Sequence, residues 1–491
     1  MKSFQTKLLA PVIIGIMAAS CNKSSEMTSL GQIEKSPASR KANPQISFEP
    51  KSVTPLLAKM MPGFGSVEMY SLISSEDKLP ESPFFVFGAQ PDGMGFLKNP
   101  DGAGYVMITN HEIQRSVSRV YLNKNLQPQK GEYIVDGDGG MWRLCSATMA
   151  TPQENGFGPV FLTAGESGAD SRVHAIDPFG SVNDKKRTDR VLPALGRASM
   201  ENALPLNKHS YPGKTIVLIG EDNGDGQVIM YKSDVIGDLN NGKLYMLRRT
   251  DLSTVETNMA VGSSYPVEFV EIDNAKTATG AEIAQQSVSK KAIQFARVED
   301  LDYRKGSAAN GREIYFVSTG VANTSGKTMW GRMYKMVLDA KDPLKAVIMP
   351  VADGGINPGN DLINPDNVCA TENYVYIQED GDSYYPGAKH DSWVWQYNIA
   401  TGEYIPFITM DHRRTDPVFN AKFNTVNNNR FGSWEFGAML DISDLVRVPN
   451  TFLLNIHAHT WQENRFLNAD GTPNSGNKEG GEIIILKGVP R

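Results

Sequence analysis

Beyond about residue 47, apolar and polar positions alternate in short runs. Blocks of Val, Ile, Tyr and Phe are closed off by Gly, Asp, Asn and Pro. No long stretch repeats its apolar positions at helical spacing, so the pattern predicts strands and an all-β class. Six runs share a further feature, in that each leads into a polar or acidic group. They are "YVMITNHE" to Glu112, "VFLTAGES" to Glu166, "IVLIGED" to Glu221, "IYFVSTG" to Thr319, "YVYIQED" to Asp380 and "FLLNIHAH" to His457. Their ends recur 54 to 98 residues apart, a loose period that suits one four-stranded blade plus loops. In a β-propeller the innermost strand of every blade lines one channel, so equivalent strand ends converge. The expected fold is therefore a six-bladed β-propeller over residues 47–491 with a metal site in its central channel, because a ring of carboxylates needs cations. A β-sandwich or two domains is the alternative, but it gives acid-ended strands scattered from 105 to 460 no common meeting point.

Composition narrows the partners. A chain of 491 residues with 40% hydrophobic content, 45 Gly and 28 Pro is turn-rich and long enough for a large core, and a net charge of -6 gives no attraction for nucleic acid. The start, "MKSFQTKLLAPVIIGIMAASC", places Lys2 and Lys7 before an apolar run and small residues before Cys21, which reads as an export signal of lipoprotein type. Residues 1–21 are then the signal peptide, with lipidation at Cys21. A plain secretory signal is the alternative. Residues 22–46 form a polar tether, and the expected location is the cell envelope, with the membrane as a partner through the lipid. Cys145 and Cys369 remain, open to a disulfide in an exported protein or to separate roles.

Asp366, Asn367, Asp380 and Asp382 are hard oxygen ligands of the kind Ca²⁺ prefers, though Asp and Asn also close turns by bonding their own backbone. "EDNGDG" from Glu221 begins like a calcium loop, but its twelfth position is Lys232, which rejects an EF-hand. Cys145 among carboxylates suits a transition metal such as iron; the plainer reading is a buried small hydrophobe. His457 and His459 share one face of a strand, where a metal or phosphate role competes with simple backbone partners. Nucleophile-elbow, zinc-helix and phosphate-loop signatures are absent.

Taken in order, "TNHE", "LCSATMATP", "VFLTAGES", "LGRASMENA", "IVLIGED", "FARVED", "INPDN" and "SWEFGAM" resemble the PhoX family of bacterial alkaline phosphatases over residues 105 to 460. Each motif is short, and their shared order carries the resemblance. It implies a six-bladed propeller holding iron (Fe³⁺) and Ca²⁺ and hydrolysing phosphate monoesters outside the cytoplasm. By motif position it implies metal ligation by Glu112, Cys145, Glu166, Glu201, Glu221, Glu299, Asp366, Asp380 and Glu435, with Cys145 on iron. Arg197 and Arg297, inside matched motifs, are the candidate catalytic residues as planar, bidentate complements to a phosphate. The chain departs from the family at Gly165-Glu166, in place of paired glutamates, at Met200-Glu201, in place of His-Glu, and in lacking a twin-arginine signal. A small phosphorylated substrate and a monomeric chain are expected. The rivals are a non-catalytic calcium-stabilised propeller lipoprotein and a calcium-only hydrolase of lactonase or phytase type.

Overall fold

The computed structural model describes residues 46–137, 143–381, 387–426, 430–467 and 477–491. The leader, the tether with Cys21, and Asp382 lie outside these residues. The architecture is all-β and propeller-like. Six antiparallel runs of strands follow one another, beginning at Pro91–Lys98, Leu144–Ala150, Met200–Pro205, Val298–Tyr303, Pro365–Ala370 and Glu435–Asp441. These six first strands touch in that order and the sixth returns to the first, which closes a ring around a central channel.

Hydrogen bonding joins the runs into five sheets rather than the six expected. The third run has an extra outer strand, Tyr265–Ile272, whose first half pairs with Lys345–Asp353 of the fourth, from Tyr265 opposite Ile348 to Glu268 opposite Lys345. Two runs thereby become one nine-stranded sheet. The N-terminal part of the chain ties two others together. Ala58–Met60 adds to the outer edge of the fifth run, beside Tyr404–Met410, and Glu68–Ser74 adds to the sixth, beside Glu479–Lys487. A strand near one end of the chain thus completes a sheet built from the other end.

Second strands such as Tyr105–His111 are buried at every position, because both faces meet neighbouring sheets. This explains their near-continuous apolar character. Between the runs lie packed side chains such as Phe295, Phe316 and Tyr334, with Phe316 stacked on Tyr334 at 4.9 Å between centroids and Phe295 edge-on to both. Each such fully buried side chain stabilises the fold by roughly 1.5–3 kcal/mol relative to exposure.

One irregularity recurs in all six runs. The pairing of first with second strand slips by one residue between Pro91 and Met94, Leu144 and Ala147, Met200 and Ala203, Val298 and Leu301, Pro365 and Val368, and Phe436 and Met439. A bulge bends the strand and re-aims the side chains around it. Here the bulges sit at one level of the channel, and they define which residues are equivalent.

Candidate metal centre

The residue just after each register point belongs to the channel wall. In the first five runs it is Asp92, Cys145, Glu201, Glu299 and Asp366; in the sixth it is Gly437, and the acid stands two positions earlier as Glu435. Gly437 leaves room that a Cβ would fill, since one there would lie 2.6 Å from His457 Nε2 and 3.1 Å from Asp92 Oδ1. The residue after the register partner on each second strand forms a second level: Glu112, Glu166, Asp222, Thr319 and Asp380 just beyond their strands, and His457 within the longer strand Thr451–Gln462.

Four groups of ligand-type atoms result, each with its atoms within 4.8 Å of one another: Asp92, Cys145 and Glu201; Glu201, Glu299 and Asp366; Glu112, Cys145 and Glu166; and Glu435, His457 and His459. Cys145 and Glu201 each belong to two groups. Seven of the nine residues expected as ligands, namely Glu112, Cys145, Glu166, Glu201, Glu299, Asp366 and Glu435, are thus brought together around one channel. Glu221 and Asp380 belong to none of the groups. Glu221 pairs with Met200 one residue short of the second level, and Asp222 stands there instead. Asp380 acts on Arg297 through its charge.

The electrostatics of the ring point to cations. Burial, reinforced by neighbouring acids, pushes the carboxyls of Asp92, Glu299 and Asp366 well above their ordinary range and Glu201 up to about 8. The Cys145 thiol is raised by burial and by Glu166 and Glu201. Without positive charge such a ring must hold protons. Several oxygens also have no donor: Asp92 Oδ1, Asn110 Oδ1, Glu201 Oε2, Asp366 Oδ1 and Asn367 Oδ1 are buried without a hydrogen-bond partner among the described residues. The amides are turned by their own donors. Asn110 Nδ2 donates to Cys145 O at 2.6 Å and Thr163 Oγ1 at 2.8 Å, and Asn367 Nδ2 donates to Ser146 Oγ at 2.6 Å. Their oxygens remain for a cation, so the donor set of carboxylates, amide oxygens and one thiol fits Ca²⁺ beside a transition metal.

The fourth group is already balanced. Glu435 lies 3.1 Å from both His457 Nδ1 and His459 Nε2, and His459 Nδ1 lies 3.0 Å from Glu479. Despite burial, these carboxylates hold the His459 imidazole well above its usual range, and despite burial the imidazoles hold Glu435 below its own.

Two arginines occupy equivalent places, one residue before the register point. Arg143 Nη1 reaches Glu112 at 3.3 Å and Glu166 at 3.2 Å. Arg297, with φ at 64°, reaches Asp222 at 2.6 Å and Glu299 at 2.9 Å. Arg297 thus lies against the ring acids, while Arg197 pairs with Asp170 at 3.1 Å, outside the four groups. Arg143 and Asp92 escaped the sequence reading. A signal for both was present, since "QPDG" at Gln90, "RLCS" at Arg143, "SMEN" at Ser199, "RVED" at Arg297 and "NPDN" at Asn364 are one four-residue pattern with the acid or thiol third. Cys145 and Cys369 are both free and buried. Cys369 lines a cavity of about 1010 Å³ in the same channel, bounded by the first strands of all six runs beyond the ring, together with Glu154, Asp302 and Lys305.

No protein-family model and no curated protein matches the sequence. Among solved structures, the chain is similar to Pseudomonas fluorescens PhoX in complex with vanadate, a transition-state analogue, at TM-score 0.57 and 14% identity, covering 86% of this chain and 95% of that one. Looser similarity reaches regucalcin, a calcium-binding protein of Agrobacterium tumefaciens, with TM-score 0.34, 12% identity, and 84% and 94% covered. An α-L-arabinofuranosidase from Fusarium graminearum gives TM-score 0.37, 11% identity, and 85% and 98% covered. At 14% identity the likeness to PhoX is one of fold.

Proposed function

We propose that the chain is a metal-dependent phosphatase of the cell envelope, a six-bladed propeller that hydrolyses phosphate monoesters with iron and calcium in its channel. Counting six blades treats the nine-stranded sheet as two, on the strength of the six inner strands. The observation that carries the reading is Cys145, whose thiol is shared between two groups of carboxylates. A calcium-only hydrolase or a calcium-stabilised binding protein has no use for a thiolate there.

Asp92, Cys145, Glu201, Glu112 and Glu166 would hold iron, and Glu201, Glu299, Asp366 and the amide oxygens of Asn110 and Asn367 would hold calcium. When bound, such cations neutralise phosphate oxygens and favour in-line displacement at phosphorus. The chain's own part is orientation. Asp222 accepts from Arg297 Nε at 2.6 Å and from Nη2 at 3.1 Å and so fixes the guanidinium, leaving Nη1 as the donor that would meet a phosphate oxygen. Arg143 and the raised His459 add positive charge above a ring that would otherwise repel an anion. Attachment through lipid on Cys21 and a monomeric state belong to the same proposal.

The test compares Asp366→Asn with Asp366→Ala, since Asn keeps turn-forming capacity and removes the charge. Bound calcium and p-nitrophenyl phosphate hydrolysis both fall in each variant, by about tenfold or more in rate. Full metal and full activity in Asp366→Asn would return Asp366 to a turn role.

A further inference from the structure

Arg172 stands apart from the ring. Its carbonyl accepts from Gly165 N–H at 3.1 Å, and Gly165 is paired with Leu144 on the channel wall. It therefore lies two strand spacings out, roughly 10 Å. The residue is 9% exposed, yet its side chain makes no hydrogen bond or ion pair among the described residues, and its Nη1 is buried without a partner. Arg197 is its neighbour in charge, and Arg197 Nε is also buried without a partner. Asp170 faces both, bonding Arg197 Nη1 at 3.1 Å and accepting from Gly280 N–H at 3.0 Å at the start of the helix Gly280–Ser289. Asp170 is 63% exposed in its side chain, and Glu282, the other acid near Arg197, is spent on capping Thr279.

A guanidinium keeps its proton in a protein, and a buried charge without a partner is costly to the fold. Among the described residues Arg172 has no ion pair and Arg197 has only the exposed Asp170, so the two converging guanidinium groups call for an anion. We propose that Arg172 and Arg197 form an anion subsite that takes a second oxyanion group of the substrate, a phosphate or carboxylate, about two strand spacings from the metal centre. Oxyanion binding stands on these residues alone; its place on the substrate rests on the phosphatase reading.

The test has two arms. In thermal unfolding of the full chain, inorganic sulfate raises the melting temperature of the wild type, and Arg172→Met loses most of that rise while melting no lower than wild type without sulfate. Arg197→Met reads the same way, at smaller size, and serves if Arg172→Met is not recovered. An equal sulfate effect in wild type and variants, or an Arg172→Met protein already unstable without sulfate, overturns the subsite. In the second arm, the ratio of kcat/KM for hexane-1,6-diyl bisphosphate to that for hexyl phosphate exceeds about tenfold in wild type and collapses towards one in Arg172→Met. A lost sulfate effect with a ratio near one in both proteins leaves a site for free anions and overturns the substrate assignment. Hydrolysis of neither compound counts against the phosphatase reading, while the sulfate arm still decides the subsite.

Discussion

Asp222 and Glu221 are adjacent acids at the end of one strand, and only one faces the channel. Period-two alternation makes a one-residue shift a change of face. Glu221, pushed up to about 8 by burial, holds a proton at neutral pH, so Glu221→Gln replaces it with a near copy. Asp222 instead stays below its usual range because Arg297, in contact with it, outweighs burial. Steady-state kinetics on p-nitrophenyl phosphate should show Asp222→Asn slowed by about tenfold to a hundredfold, through a loosened Arg297, and Glu221→Gln within about twofold of wild type. The reverse order would move the active register by one residue. The strand ends were legible in the sequence to that same precision. Acid-ended runs reach the second level at Glu112, Glu166 and Asp380, but a tandem Glu-Asp leaves open which acid stands on which face until the pairing partner is known. Asp92 was hidden for a different reason, because Pro-Asp-Gly is also a good turn.

At the scale of elements, strand positions were readable from apolar runs, while the bulges and the merger of two runs were not. A bulge is a mismatch between two strands, and the pairing of Tyr265–Ile272 with Lys345–Asp353 joins segments some eighty residues apart, so neither is written in a local pattern. The N-terminal strands show how such long-range joints are held. Glu482, fully buried in the strand Glu479–Lys487, accepts from Leu57 N–H at 3.1 Å just before Ala58–Met60, and burial drives its carboxyl well above the ordinary range. A carboxyl with a raised folded-state pKa contributes stability at low pH that is lost as pH rises through that pKa. Glu482→Gln keeps an acceptor without the charge. Its melting temperature should match wild type near about pH 5 and exceed it by about 2 °C or more near about pH 9. A constant difference at both would mean that Glu482 does not titrate in this range.

For the whole molecule, the propeller class followed from the recurrence of strand ends, and the meeting of seven expected ligands in one channel followed from the class. The two thiols stand at different levels of the channel, with Cys145 in the ring and Cys369 on the cavity beyond it. Mass spectrometry of unfolded, non-reduced protein should find no linked peptide pair, and a linked pair would remove Cys145 from the metal centre. Most direct is elemental analysis of the purified protein made with ample iron and calcium. Wild type should carry both metals, and Cys145→Ser should lose iron while keeping calcium. Calcium alone in the wild type would contradict the iron assignment and favour a calcium-only protein, and the absence of both metals would contradict the ring as a metal centre.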